Sequence, residues 1–265
     1  MLAENFLGVP DTNIVLFFAM GLTAMVTTFL GTVTGTAGGL LLLAIMAFFY
    51  PMAALIPVHT VVQLGAGTSR AVLMWRYVKK TLILPFAIGS VLGALLGGQI
   101  FVTLPSSLLQ GMLGVFILVI MWTPRFGAGG PERTRFAILG FVATFLGVFV
   151  SATGTFLSPF IAHASTDRRI HVSTMATLMA VTHIAKLLVF GVIGFSIGAY
   201  APLILVMLGG AVLGNWVGGH ALNRIPEKTF RLVFKVLLTL LALRLLIGGL
   251  VASGWLDGLG LFGKG

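Results

Sequence analysis

Arg70 and Lys186 stand 116 residues apart, each inside an apolar stretch that holds no acidic residue. A charge at the centre of a bilayer costs at least about 2.5–3.5 kcal/mol on insertion scales, so it is rarely carried without use. The six acids of the chain, Glu4, Asp11, Glu132, Asp167, Glu227 and Asp257, all fall at ends or in loops. Neither cation therefore has an acid nearby in sequence, and the chemistry this suggests is attraction of a passing anion. Snorkelling is the competing reading for Arg70, because the basic end at Arg76–Lys80 is less than two turns away. Lys186 is deeper and has no such route.

Two short polar runs could complete a site. Gly31-Thr-Val-Thr-Gly-Thr-Ala-Gly-Gly39 interrupts an apolar run with four glycines and three threonines, and Ser151-Ala-Thr-Gly-Thr155, followed by Ser158-Pro159, does the same later. Glycine weakens a helix and permits unusual backbone angles. Broken backbone at membrane depth survives only where protein or a cavity satisfies its polar groups. A half-helix restarting there would aim free amides and a partial positive charge at the break. The candidate donors are Thr34, Thr36, Gly38 and Gly39 in the first run, and Ser151, Thr153, Gly154 and Thr155 in the second. Close helix packing through small residues is the alternative use. His59, His183 and Gln63 add polar groups to the same stretches, as gates, proton carriers or substrate donors. Ser69, Gln99, Thr182 and Asn215 are better read as hydrogen bonds between helices.

These features come in pairs because the chain repeats itself. A shift of 116 residues lays Phe29-Leu30-Gly31 on Phe145-Leu146-Gly147, Gly38 on Gly154, Leu41 on Leu157 and Arg70 on Lys186. With about five further residues, Gly97 and Pro105 fall on Gly218 and Pro226. The expected fold is an all-α polytopic membrane protein of two inverted repeats, each with four apolar segments. In the first repeat, 12–123, the segments are Thr12–Tyr50 (broken at Gly31–Gly39), Ala53–Tyr77, Leu82–Thr103 and Ser107–Trp122. In the second, 135–252, they are Arg135–Ser165 (broken near Ser151–Pro159), Val172–Ile197, Ala201–Leu222 and Phe230–Ala252. A tail (1–11), a cytoplasmic linker (124–134) and a second tail (253–265) complete the chain.

Inversion is read from charge. Arg76, Lys79 and Lys80 follow the second segment, but the equivalent loop Gly194–Tyr200 has no cation. Arg168, Arg169, Arg224, Lys228, Arg231 and Lys235 occupy loops whose counterparts around Pro51 and Pro105 have none. By the positive-inside rule the halves lie in opposite orientations. That requires each broken segment to fold back as two short passes or a re-entrant hairpin, giving up to ten crossings with both termini outside. Eight plain spans are the alternative.

Composition sets the class. The 265 residues are 58% hydrophobic and 8% charged, with a mean hydropathy of +1.11; soluble domains carry about 25% charged residues. The excess of Lys and Arg sits mostly in loops, where it sets orientation, and no basic patch interleaved with aromatics points to nucleic acid. Absence of cysteine excludes disulfides and thiol chemistry. Met1–Asn13 lacks the basic start of a cleaved signal peptide, so the first segment is expected to be retained. No metalloprotease, serine-hydrolase or Walker motif occurs, and no carboxylate pair lies at membrane depth. An enzyme is not expected, and no cofactor or metal is implied.

The run Gly35-Thr-Ala-Gly-Gly-Leu-Leu-Leu-Leu43, the Pro51 turn, and the His59–Arg76 segment ending in Tyr77 before a basic pair resemble the sulfite exporter TauE/SafE family. Ser151–Phe160 is similar to the repeat of that motif, and the resemblance runs from about Gly21 to Leu250. It implies a multi-pass inner-membrane transporter of sulfur oxyanions or organosulfonates, usually an exporter. The family's Gly-x-Gly-Gly-Gly run is here Gly35-Thr-Ala-Gly-Gly39, with Ser151-Ala-Thr-Gly-Thr155 in the second copy. The expectation is a secondary transporter exporting a small anion such as sulfite or sulfoacetate. Its partners would be that anion and the lipid bilayer, with a homodimer compatible with the sequence. A non-transporting scaffold of a sulfur-metabolism complex and an anion channel are the rivals.

Overall fold

The fold is known from a computed structural model, which describes residues 5–34, 38–122, 131–151, 153–221 and 227–253, and the side chains of these except at 33–34, 69–70, 73, 168, 219, 221 and 227–234. Among the described residues there are ten α-helices and no strand. They are α1 (Ile14–Thr34), α2 (Gly38–Met46), α3 (Met52–Leu73), α4 (Ile83–Phe101), α5 (Ser106–Trp122), α6 (Glu132–Val150), α7 (Gly154–Ala164), α8 (Arg168–Val192), α9 (Ala201–Ala221) and α10 (Glu227–Ala252). Six are long and apolar enough to cross a membrane, and two shorter apolar stretches, Met52–Thr68 and Ser106–Trp122, lie among them. A helix of about 20 residues spans about 30 Å, the hydrocarbon thickness of a bilayer.

Local chemistry explains where the helices start. Asn13 Oδ1 accepts from Leu16 N–H at 2.8 Å at the head of α1, and Asp167 accepts from Arg169 and Ile170 N–H at the head of α8. Each takes up orphan amides of a first turn. The Asp167 cap starts α8 four residues before the apolar run suggests, placing Arg168 and Arg169 in its first turn rather than in a loop. Pro51, Pro105 and Pro131 stand at the heads of α3, α5 and α6, their carbonyls accepting the first helical bonds; proline's fixed φ suits that position.

Both broken segments are observed as breaks. The first separates α1 from α2, and residues 35–37 there, Thr36 included, lie outside the described residues. The second separates α6 from α7 and is shorter than the sequence suggests. The helix resumes at Gly154 and carries Pro159 inside α7. Proline's missing N–H leaves the Thr155 carbonyl without its helical donor instead of ending the helix.

Glycine stripes hold the bundle together. A Cβ on Gly89 or Gly93 of α4 would lie 1.9 Å from the Ala137 carbonyl oxygen or 2.3 Å from that of Phe141 on α6. On α9, a Cβ on Gly210 or Gly214 would lie 2.2 Å from the carbonyl oxygen of Gly21 or Met25 on α1. The sets correspond: the α4 and α9 positions differ by 121 residues and the α6 and α1 positions by 116, as in the sequence repeat. With no hydrophobic force between helices in lipid, such backbone approach is the principal source of packing energy. Large apolar side chains such as Phe18 and Leu22 on α1, Leu84 and Ile88 on α4, and Leu205 and Val212 on α9 are exposed, forming the lipid-facing surface. The continuous apolar core lies around α2 and the first half of α3, with Leu40–Leu43, Leu55, Ile56, Phe101, Phe149 and Phe190 buried together.

Candidate functional site

The break after α6 is built on Ser151, which takes a left-handed conformation with φ 59°. A non-glycine residue pays for that geometry only where surroundings enforce it, and here three side chains converge on its hydroxyl. Lys186 Nζ donates to Ser151 Oγ at 3.2 Å, His59 Nδ1 lies 2.9 Å from it, and Thr60 Oγ1 lies 3.1 Å from it. His59 Nε2 donates to the Gly39 carbonyl at 2.8 Å. The second half thus contributes Ser151 and Lys186, and the first contributes His59, Thr60 and Gly39.

Lys186 is fully buried and is not free to await an anion directly. Its Nζ also donates to the carbonyls of Gly147 at 3.3 Å and Ser151 at 3.5 Å. These oxygens are the negative end of α6, where a cation is favoured. The sequence expectation of a cation without an internal partner is corrected: a helix terminus, not a carboxylate, is the partner. Arg70 lies in the last turn of α3, and its side chain is outside those described, as is that of Thr34.

Beside Ser151 lies a cavity of about 290 Å³. It is lined by Gly38, Gly39, Gln63, Ser151, Gly154, Thr155 and His183 of the sequence candidates. His59, Thr153 and Lys186 are not among its lining residues; they stand behind it. No acidic or basic side chain other than histidine lines it among the described residues. The starts of two short helices meet there, α2 through Gly38 and Gly39 and α7 through Gly154 and Thr155, so first-turn amides of both reach the same space. Buried Thr155 Oγ1, Thr153 Oγ1 and His183 Nδ1 have no hydrogen-bond partner among the described residues. A buried donor left unmade costs about 1–3 kcal/mol, and two of these three belong to cavity-lining residues. The arrangement can bind a small anion by neutral donors, with the Lys186 charge behind Ser151.

Two glycines admit their neighbours. A Cβ on Gly38 would come 2.4 Å from the Thr27 carbonyl oxygen and 2.8 Å from Gly31 Cα, so Gly38 lets α2 fold against α1. A Cβ on Gly39 would stand 1.7 Å from the Gln63 amide nitrogen, so Gly39 makes the room that Gln63 occupies.

His171, Met175 and Met179 also line the cavity and were not singled out in the sequence. With His183 they recur at every fourth residue of α8, the spacing of one helix face; that stripe is the signal. Asn215 bridges helices as expected, accepting from Thr32 Oγ1 at 2.7 Å and donating to the Ala66 carbonyl at 3.5 Å.

Among the described residues, Arg76, Lys79 and Arg169 gather at one end of the bundle. Tyr77 Oη accepts from Arg76 at 2.8 Å and from Arg169 at 3.3 Å. Lys79 pairs with Glu132 at the head of α6, and its backbone N–H donates to Thr174 Oγ1 at 3.0 Å. Ser158 and His171, which hydrogen-bond at 3.3 Å, carry the cavity lining along α7 and α8 toward this end, while buried Ser151 lines it from the break after α6.

No curated protein and no solved structure matches the chain. The model of the family described as sulfite exporter TauE/SafE matches residues 20–245. A match across that much of the sequence, on a fold of apolar helices with paired breaks, makes this chain a member of the sulfite exporter TauE/SafE family.

Proposed function

We propose that this protein is a secondary transporter that exports a small sulfur oxyanion or organosulfonate across the inner membrane, working by alternating access between two inverted repeats. Family membership itself implies a membrane exporter of sulfite-like anions. The observation that carries the finer reading is the cavity. Two half-helix starts, Thr155 and His183 with unmet hydrogen-bonding capacity, and no carboxylate converge on one space of about 290 Å³. Discontinuous helices with N-termini aimed at an anionic group are the usual construction of transporter midplane sites.

The substrate-binding set is Gln63, Gly38, Gly39, Ser151, Gly154, Thr155 and His183 at the cavity. His59, Thr153 and Lys186 support it from behind, and Arg70, Thr34 and Thr36 of the first half complete the proposed set from the sequence. Swapped contacts of the two glycine stripes support inversion, as does the clustering of Arg76, Lys79 and Arg169 at one end. With that end cytoplasmic, the cavity faces inward, and the core around Leu55, Phe101, Phe149 and Phe190 seals the outward side. An inside-negative potential favours anion export by about 2.3 kcal/mol per charge per 100 mV.

The test is transport of radiolabelled sulfite and sulfoacetate into proteoliposomes, with sulfate, thiosulfate, taurine and acetate as competitors. Saturable movement of a sulfur oxyanion above protein-free vesicles is expected. Unsaturable conductance would make the protein a channel, and no movement of any tested anion would favour a scaffold.

A further inference from the structure

The chain of contacts from Lys186 through Ser151 to His59 has a direction. The Gly39 carbonyl can only accept, so the His59 Nε2 that faces it carries a hydrogen. In a neutral ring Nδ1 is then an acceptor, and it takes the hydrogen of Ser151 Oγ. Thr60 has already committed its hydroxyl hydrogen to the Ile56 carbonyl at 2.7 Å. Lys186 donates into the remaining lone pair of Ser151 Oγ. The result is Lys186 Nζ–H to Ser151 Oγ–H to His59 Nδ1, joining α8 to α3 across the break.

We propose that Lys186, Ser151 and His59 form a buried proton store, so that the anion in the adjoining cavity is bound together with one proton. This rests on the transport reading above and names its coupling ion. The proton enters from solvent onto the neutral amine of Lys186, forming an N–H bond. It is shared by breaking that bond as an Oγ–H bond forms, while the former Oγ–H hydrogen passes to His59 Nδ1. Charge moves from an ammonium to an imidazolium, with no atom gained or lost. Only Ser151 of the three lines the cavity, so the anion feels the stored charge through that hydroxyl.

The groups facing the store are few. His183 of α8 adjoins both Lys186 and His59. His171 lies further along α8 on Ser158 of α7. α2 offers the Gly39 carbonyl, and α6 offers the Gly147 carbonyl, that of Ser151 at its end and, one turn before Gly147, the buried Thr144 hydroxyl. Arg70 is eleven residues on from His59 along α3. No acid among the described residues pairs with the store, so beyond the α6 carbonyls it is the anion that holds the added proton in place. Linkage is reciprocal: anion binding draws the proton in, and anion affinity falls as pH rises.

The test is calorimetry of methanesulfonate, which carries no proton of its own near neutrality, binding to the full-length protein in buffers of differing ionisation enthalpy. Wild-type protein is expected to take up protons with the anion, rising toward one per anion as pH rises, and Lys186→Met to take up none. Binding of the anion with no proton uptake at any pH would overturn the proposal. A second measurement does not need the anion. Nitrogen NMR of labelled histidine should show His59 as the neutral Nε2–H tautomer, with Nδ1 shifted by Ser151→Ala; an Nδ1–H tautomer, or indifference to Ser151→Ala, would overturn the relay. If no anion binds, the transport reading fails, and the tautomer alone decides whether the relay exists.

Discussion

Gly93 of α4 sits so close to Phe141 of α6 that a Cβ there would stand 2.3 Å from the Phe141 carbonyl oxygen, and Gly214 of α9 stands in the same relation to Met25 of α1, at 2.2 Å. The clash in each case is with backbone, which cannot move aside as a side chain can. Gly93→Ala and Gly214→Ala are therefore expected to destabilise to a similar extent, by about 1–3 kcal/mol, the usual cost of overpacking. Gly209→Ala on α9, where a Cβ meets open space, is the control. Thermal unfolding in detergent checks this. Equal midpoints for all three would mean that the stripes do not set the helix spacing.

The orientation of the two halves can be tested with single cysteines, because the chain has none of its own. Cysteines replacing Lys79 and Arg169 should react with an impermeant maleimide from the cytoplasmic side. Cysteines beside Pro51 and Pro105 should react from the opposite side. Lys79, which follows α3, and Arg169, in the first turn of α8, are tied together by the Arg169–Tyr77 and Lys79–Thr174 contacts. Labelling from different faces would break both the inverted-repeat topology and the packing of this end.

Much of the fold was legible because its causes are local. Runs of apolar residues about 20 long become spanning helices, glycine- and threonine-rich runs break them, and prolines 51, 105 and 131 start them. The duplicated glycines foretold the paired stripes, since a small residue at a fixed register is needed wherever two backbones touch. What the sequence hid is long-range. That Lys186 meets the last carbonyls of α6 depends on a left-handed Ser151, which no pattern in Ser151–Thr155 announces. The cavity wall of His171, Met175 and Met179 reads as ordinary apolar helix until the opposite walls are known. Gly38 reads in the sequence as a donor at the break, whereas its first duty is the approach of α2 to α1.

At the cavity, Thr155→Val keeps the side chain's shape and deletes a hydroxyl that is buried without a partner. Anion affinity should weaken by about 1–3 kcal/mol, because the bound anion loses a donor that water cannot replace. His183→Gln should retain part of the affinity, since an amide can still donate. Gly39→Ala should act indirectly, by pushing the Gln63 amide from the place it now fills. Isothermal titration with the transported anion reads all three. Wild-type affinity throughout would move the site elsewhere.

At the basic end of the bundle, Arg76 and Arg169 share one neutral acceptor, Tyr77 Oη, and both are exposed. Paired positive charge at a cavity mouth raises the local concentration of anions, an effect that salt screens over about 10 Å at 0.1 M. Arg169→Gln is expected to raise KM several-fold with little change in kcat, and to flatten the dependence of KM on ionic strength. Initial rates at low and high salt separate this from a packing defect, which would lower kcat at both.

Lys186→Met gives the sharpest separation of function from stability. Removing one member of a buried charged pair usually orphans the other, but here the two closer partners are not orphaned. The Gly147 carbonyl already accepts from Ser151 N–H at 2.8 Å, and Ser151 Oγ keeps His59; the Ser151 carbonyl loses only a long contact of 3.5 Å. Methionine has nearly the same length and apolar bulk, and it relieves the cost of holding a charge away from water. The thermal midpoint should therefore stay level or rise, while transport of the anion is lost. A large drop in the midpoint would show that Lys186 is a structural cap on α6. Unchanged transport at an unchanged midpoint would show that its charge serves neither role.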